Sequence, residues 1–103
     1  MSRVEQLRAV VDALHAEIAA LKRFDVAALA AATGAKEAGI GALAGPWRQD
    51  EVDDEVRALA EEAQRLNETS RIYVNLMAAN VRTRLEALTG LGTQVYTRSS
   101  AAA

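Results

Sequence analysis

Val4, Leu7, Val11, Leu14, Ile18 and Leu21 recur at alternating spacings of three and four residues. That rhythm sets side chains in a heptad-like seam along one face of a helix. No glycine or proline interrupts the run, and Glu5, Arg8, Asp12, Glu17 and Lys22 fall off the seam, where they read as solvated. The pattern predicts a first helix over about 2–24. Its phase slips at Phe24-Asp25, and a second stripe follows: Val26, Leu29, Thr33, Lys36, Ile40 and Leu43. This predicts a helix over about 26–44, with the Asp25 carboxylate placed to accept from the free amides of its first turn. Gly34, Gly39 and Gly41 weaken that segment by up to about 1 kcal/mol each relative to alanine. The same residues also fit one long kinked helix from Ser2 to about Leu43.

Gly45-Pro46 is the one strong break, and Trp47 beyond it is placed to cap the end of the helical core. A third stripe runs Val52, Val56, Leu59, Ala63 and Leu66, blurs over Asn67–Ser70, and resumes as Tyr73 and Val74, Met77, Val81, Leu85 and Leu88. It predicts a helix over about 50–89, opened by Asp50 and stopped at Gly90. The expected architecture is all-α: an antiparallel helical hairpin or a three-helix arrangement with a long C-terminal helix. It forms a single domain over 1–90, followed by a flexible tail over 91–103. At 1.5 Å per residue the third helix spans roughly 60 Å and the first only roughly 33 Å. The far half of the third helix is therefore expected to overhang its neighbours. Tyr73, Val74, Met77, Val81, Leu85 and Leu88 are left short of partners within the chain, as in a protein that holds a helix of another protein.

Composition narrows the chemistry. Half of the residues are apolar but only four are aromatic, and much of the apolar share is alanine, which buries little area. A thin core and modest stability follow. The net charge of −2, with both signs interspersed, gives no basic footprint for nucleic acid and no polybasic membrane anchor. There is no cysteine, hence no thiolate metal site or disulfide. The N-terminus lacks the continuous apolar core of a signal peptide, and no apolar run approaches membrane-spanning length. A cytoplasmic protein without cofactor, bound metal or membrane insertion is expected.

Four features invite site chemistry. Asp50, Glu51, Asp53, Asp54 and Glu55 suggest a metal cluster, but carboxylates at a helix start interact favourably with its free amides and dipole. His15, the sole histidine, is expected on the surface, and no convergent partners for a catalytic or metal role are visible. Lys36 falls on the inner stripe of the second helix, where its stem can pack while the ammonium reaches water. Asn67, Ser70, Asn75 and Asn80 are locally unfavourable in a helix. They are either solvent-exposed or set the register of a bound helix.

The third helix and its tail resemble the C-terminal half of the FlgN family of flagellar type III export chaperones. The family pattern is a hydrophobic residue and asparagine, then a second asparagine and glycine, an amphipathic helix ending in L-x-x-L, and a linker with Y-G-x-x-G. Leu66-Asn67 matches the opening, Tyr73-Val74 the hydrophobic pair, Leu85 and Leu88 the helix end, and Val95-Tyr96 the tail motif. Upstream, Phe24-Asp25-Val26 with Leu29, Lys36 and Leu43 is similar to the family's earlier progression. Ser70 and Arg71 replace the second asparagine and glycine, and polar residues from Thr97 onward replace the tail glycines. The resemblance implies a secretion chaperone that binds the C-terminal helices of hook–filament junction proteins of the FlgK/FlgL type, prevents their premature assembly and delivers them to the export gate. The client surface would include Tyr73, Val74, Met77, Val81, Leu85 and Leu88. Tyr96 would dock on the cytoplasmic domain of an FlhA-type gate, and the free chaperone would be monomeric.

Two other readings stand beside it. One is a coiled-coil adaptor, a helical subunit that self-associates through the first seam, although three heptads are short for that purpose. The other is an enzyme: LRAVVDALHAEIAALKR faintly resembles the all-helical chorismate mutases, with Lys36, Arg48 and Glu51 as imagined site residues. The third helix offers such a site no counterpart, and no catalytic residues are expected.

Overall fold

Ser2 starts the first helix by accepting from the Glu5 amide through its hydroxyl at 3.1 Å, and the uninterrupted seam then carries α1 over Arg3–Arg23. Phe24 ends it in the left-handed region (φ 59°, ψ 37°), an uncommon conformation for a bulky residue. It lets the Phe24 and Asp25 amides donate back to Leu21 and Ala20 carbonyls at 3.2 and 2.9 Å. Asp25 then caps α2, Val26–Leu43, by accepting from the Ala28 amide at 3.0 Å. The chain thus turns at Phe24-Asp25, and the single kinked helix is not formed. The computed structural model describes residues 1–89; the expected tail over 91–103, with Tyr96, lies outside the described residues.

The acidic run divides its work differently from the expectation that Asp50 opens the last helix. Gln49–Glu51 wind into a separate 3-10 turn, Val52 is extended, and Asp53 caps α3 by accepting from the Val56 amide at 2.9 Å. Either aspartate suits a cap, and the separate turn hands the role to the later one. α3 therefore runs Asp54–Leu88, 35 residues, or roughly 52 Å rather than 60 Å.

Among the described residues the architecture is all-α, three α-helices of which the last is the longest. The pairs Arg8–Glu55 and His15–Glu62, with Lys22 over the Tyr73 ring, show α3 running parallel to α1. Arg3 beside Ala42 and Lys36 beside Glu17 show α2 antiparallel to it. Both flanking helices pack on α1 and scarcely touch each other. Of the expected seam, Leu7, Val11, Leu14, Ile18 and Leu21 are buried and Val4 is half-buried; a second line, Val10, Ala13, Glu17 and Ala20, is buried as well. α2 buries only Ala32, and α3 only Val56 and Ser70.

That second line permits close approach to α2 at one point. A Cβ built on Gly39 would lie 2.8 Å from Val10 Cγ2, whereas Gly34 and Gly41 face open space. Gly34→Ala and Gly41→Ala are therefore expected to stabilise the protein by up to about 1 kcal/mol each, since alanine is the better helix former. Gly39→Ala is expected to lose that gain to the Val10 collision. Urea denaturation of the three variants checks the order; equal gains would mean α2 does not approach α1 as described.

The connector is fastened to the start of α1. The Arg3 guanidinium donates to the Ala42 and Pro46 carbonyls at 3.3 and 3.2 Å and to Glu51 at 3.3 Å, and lies 4.5 Å from the Trp47 ring centroid. The Trp47 indole donates to the Leu43 carbonyl at 2.9 Å. At the opposite end, Phe24 packs at the level of Leu76, Met77 and Asn80. Among the described residues, the last two turns of α3, Val81–Leu88, project beyond α1 and α2, roughly 12 Å. The overhang is shorter than the expected half of the helix, because α3 starts later and lies alongside α1 from its first turn.

Candidate functional site

Four of the six residues expected to form a client surface come together. Val74, Met77, Val81 and Leu85, spaced three or four apart, line one open depression of about 500 Å³ with Ala78 and Arg82. Val74 is 43% exposed, Val81 38% and Leu85 56%. Leu88 continues the same face at 83% exposure. Two causes leave this face bare among the described residues: α2 does not reach across to α3, and beyond Asn80 none of them forms a neighbouring helix.

Tyr73 departs from the group. It turns toward the end of α1, into a depression with Leu21, Phe24, Leu76 and Asn80, and the Lys22 ammonium stands 5.7 Å from its ring centroid. The Arg84 guanidinium reaches back to 5.6 Å from the Phe24 ring. Leu76 and Ile72, both exposed, lie outside the stripe expected from the sequence. Leu76 follows Tyr73 by three residues, so a second apolar line was present in the spacing.

Glu17 is the largest departure from expectation. Read as solvated because it falls off the seam, its side chain is 1% exposed. It is buried because α1 is flanked on two sides. Thr33 Oγ1 donates to its Oε2 at 2.8 Å, Lys36 Nζ to its Oε1 at 3.1 Å, and Ser70 Oγ to the same Oε1. Burial alone would raise its pKa. The hydrogen bonds from Ser70, Thr33 and Lys36, with the lysine charge, outweigh that and hold the carboxyl below its ordinary range. Lys36 thus serves as partner to a buried carboxylate instead of extending to water. Ser70 is neither exposed nor available to a bound helix. Asn67, Asn75 and Asn80 are exposed.

Four of the five acidic residues around α3's start, Asp50, Glu51, Asp53 and Glu55, are engaged with cations or amides. Asp50 pairs with Arg48, Glu55 with Arg8, and Glu51 accepts from the Arg48 amide at 2.9 Å as well as from Arg3. Arg48 and Glu51 therefore meet in the connector, while Lys36 lines a different depression with Glu17, Asn67 and Arg71. The three imagined enzyme residues do not converge. His15 is exposed, 3.5 Å from Glu62.

Among the described residues no helix is long and apolar enough to cross a membrane. Compared with known proteins, the chain matches no family model, no curated protein and no solved structure.

Proposed function

We propose that this chain is a FlgN-like flagellar secretion chaperone, working in the cytoplasm, which carries an amphipathic helix of a hook–filament junction protein on the apolar face of α3. The observation that supports it most is the exposed run Val74, Val81, Leu85 and Leu88 on one side of a single helix. Exposed apolar faces of that kind suit helix-in-groove recognition. The described residues suit a carrier better than a self-associating subunit, because the α1 seam such a subunit would use is covered by α2 and α3 of the same chain. Sedimentation at micromolar concentration is expected to give a monomer; a concentration-dependent dimer would favour the coiled-coil adaptor.

Tyr96, the proposed contact with the cytoplasmic domain of an FlhA-type export gate, lies outside the described residues; a single amphipathic ring suits weak, reversible docking. The test is calorimetric titration of the intact chain with the C-terminal helical segments of the junction proteins encoded in the same genome. One-to-one binding is expected, and deletion of 91–103 is expected to preserve it while lowering secretion of the client. Absence of binding to every junction protein would overturn the proposal.

A further inference from the structure

Three helices in which the middle one touches both others, and the outer two scarcely meet, occupy three corners of a four-helix bundle. Among the described residues nothing fills the fourth corner, the gap between α2 and α3, which α1 floors. Its two halves are joined through shared residues. Asn67 belongs both to an apolar stretch with Leu14, Ile40 and Leu43 and to the polar stretch at Glu17 and Lys36. Val74 links that polar stretch to the depression at Val81 and Leu85. Along α3 this is one unbroken helix face from Ala60 to Leu85. Ile40, on the opposite wall, is 51% exposed.

We propose that this gap is the berth of a fourth helix supplied by another protein: an acidic amphipathic helix of about 25 residues, spanning roughly 38 Å of α3. Its apolar stripe is interrupted midway by one polar residue, facing Asn67. The inference deepens the chaperone reading and rests on it only in taking the client to be helical. The sign of the partner follows from the charged groups that line the gap. Lys36 and Glu17 neutralise each other as an ion pair, so the charges left along the gap are the guanidiniums of Arg71 and Arg82. Arg71 shares its charge with Glu68, but Arg82 has no carboxylate within ion-pairing distance among the described residues. A second copy of this chain offering the same face would set Arg71 and Arg82 against their own kind, whereas carboxylates flanking an apolar stripe complement them. The midpoint polar residue follows from the layer at Glu17, Thr33, Lys36, Asn67 and Ser70. A purely apolar helix there would cover the Asn67 amide without a partner, so a polar side chain fixes the register.

The chain has no cysteine, so a single Ile40→Cys substitution accepts an environment-sensitive dye on the α2 wall, and Val81→Cys accepts it at the far end. The probes are two synthetic amphipathic helices of about 25 residues with leucine at the inner positions and one midway glutamine, flanked by glutamates in one and lysines in the other. The acidic peptide is expected to blue-shift both dyes and to bind about tenfold or more tighter than its lysine twin. Ile40→Glu, at a half-exposed position, is expected to weaken the acidic peptide and the junction-protein segment by about tenfold or more with helicity unchanged. A response at position 81 with none at 40, or indifference to Ile40→Glu, overturns the berth and leaves the chaperone reading standing. Binding of the acidic peptide across both positions, without binding of any junction protein, upholds the berth and overturns that reading. A shift at position 40 driven by protein concentration alone identifies a second copy as the occupant and overturns the proposed partner.

Discussion

Val81→Asp combined with Leu85→Asp is expected to abolish client binding while the far-ultraviolet dichroism of the protein stays close to that of the parent. Both side chains belong to the two turns of α3 that extend past α1 and α2, and both are exposed, so the folded chain loses little by their removal. Covering such a residue in a complex contributes roughly 1.5–3 kcal/mol before ordering costs. Losing both, and burying carboxylates instead, costs at least about 3 kcal/mol, which is roughly a hundredfold in affinity. Aspartate is a poorer helix former than valine or leucine by only a few tenths of a kcal/mol, with a further small penalty near a helix C-terminus. Local fraying of the last turns is therefore the most the dichroism should register. A large loss of helical signal would place Val81 and Leu85 in the internal core and remove them from the binding surface.

The second large effect lies at Glu17. Glu17→Ala removes the acceptor shared by Thr33, Lys36 and Ser70. The buried Ser70 hydroxyl and the largely covered Lys36 ammonium are then left to find other partners. Breaking a buried ion pair on one side costs 3–5 kcal/mol in general; the Lys36 side chain retains 17% exposure, so about 2–3 kcal/mol is expected here. For a domain of this size that lowers Tm by roughly 10–20 °C. Replacing the whole group at once, with Glu17→Leu, Lys36→Met and Ser70→Ala, is expected to recover most of the loss, because no charge is then stranded.

The pH dependence carries the same signature. The folded-state pKa of Glu17 lies below its unfolded value. Its stabilising contribution is therefore complete above the unfolded value, near 4.3 for an ordinary glutamate, and is lost as pH falls through the folded one. The Tm difference between the parent and Glu17→Ala should be constant from neutral pH down to about 5 and should shrink below about 4. A difference that persists unchanged in strong acid would mean that the carboxylate charge is not what ties the helices together.

The elements were legible in the sequence where one physical signal acted alone. The seam from Leu7 to Leu21 is plain in the periodicity alone, whereas the Asp25 cap competes in the sequence with one long kinked helix, and the left-handed turn at Phe24 decides between them. The start of α3 is ambiguous in the sequence because Asp50 and Asp53 both fit a cap, and only the winding of Gln49–Glu51 into its own turn decides between them. Glu17 looks solvated in the sequence because the second buried line of α1 consists of Val10, two alanines and the glutamate itself, and only the packing of a second helix shows that this face is covered. Helix length alone explains only part of the bare face of α3. Length accounts for Val81–Leu88, whereas Val74 is exposed because α2 stands apart from α3, a property of packing that no single stripe encodes.

The clasp at the other end of the molecule gives the protein an optical handle. Its lone indole stands beside Leu43, where the gap between α2 and α3 opens, and far from the projecting turns. Occupancy along the full channel would reach this natural fluorophore, whereas a ligand gripping only Val81–Leu88 would leave its emission untouched. The two modes of engagement are therefore separable in the unlabelled, unmutated chain.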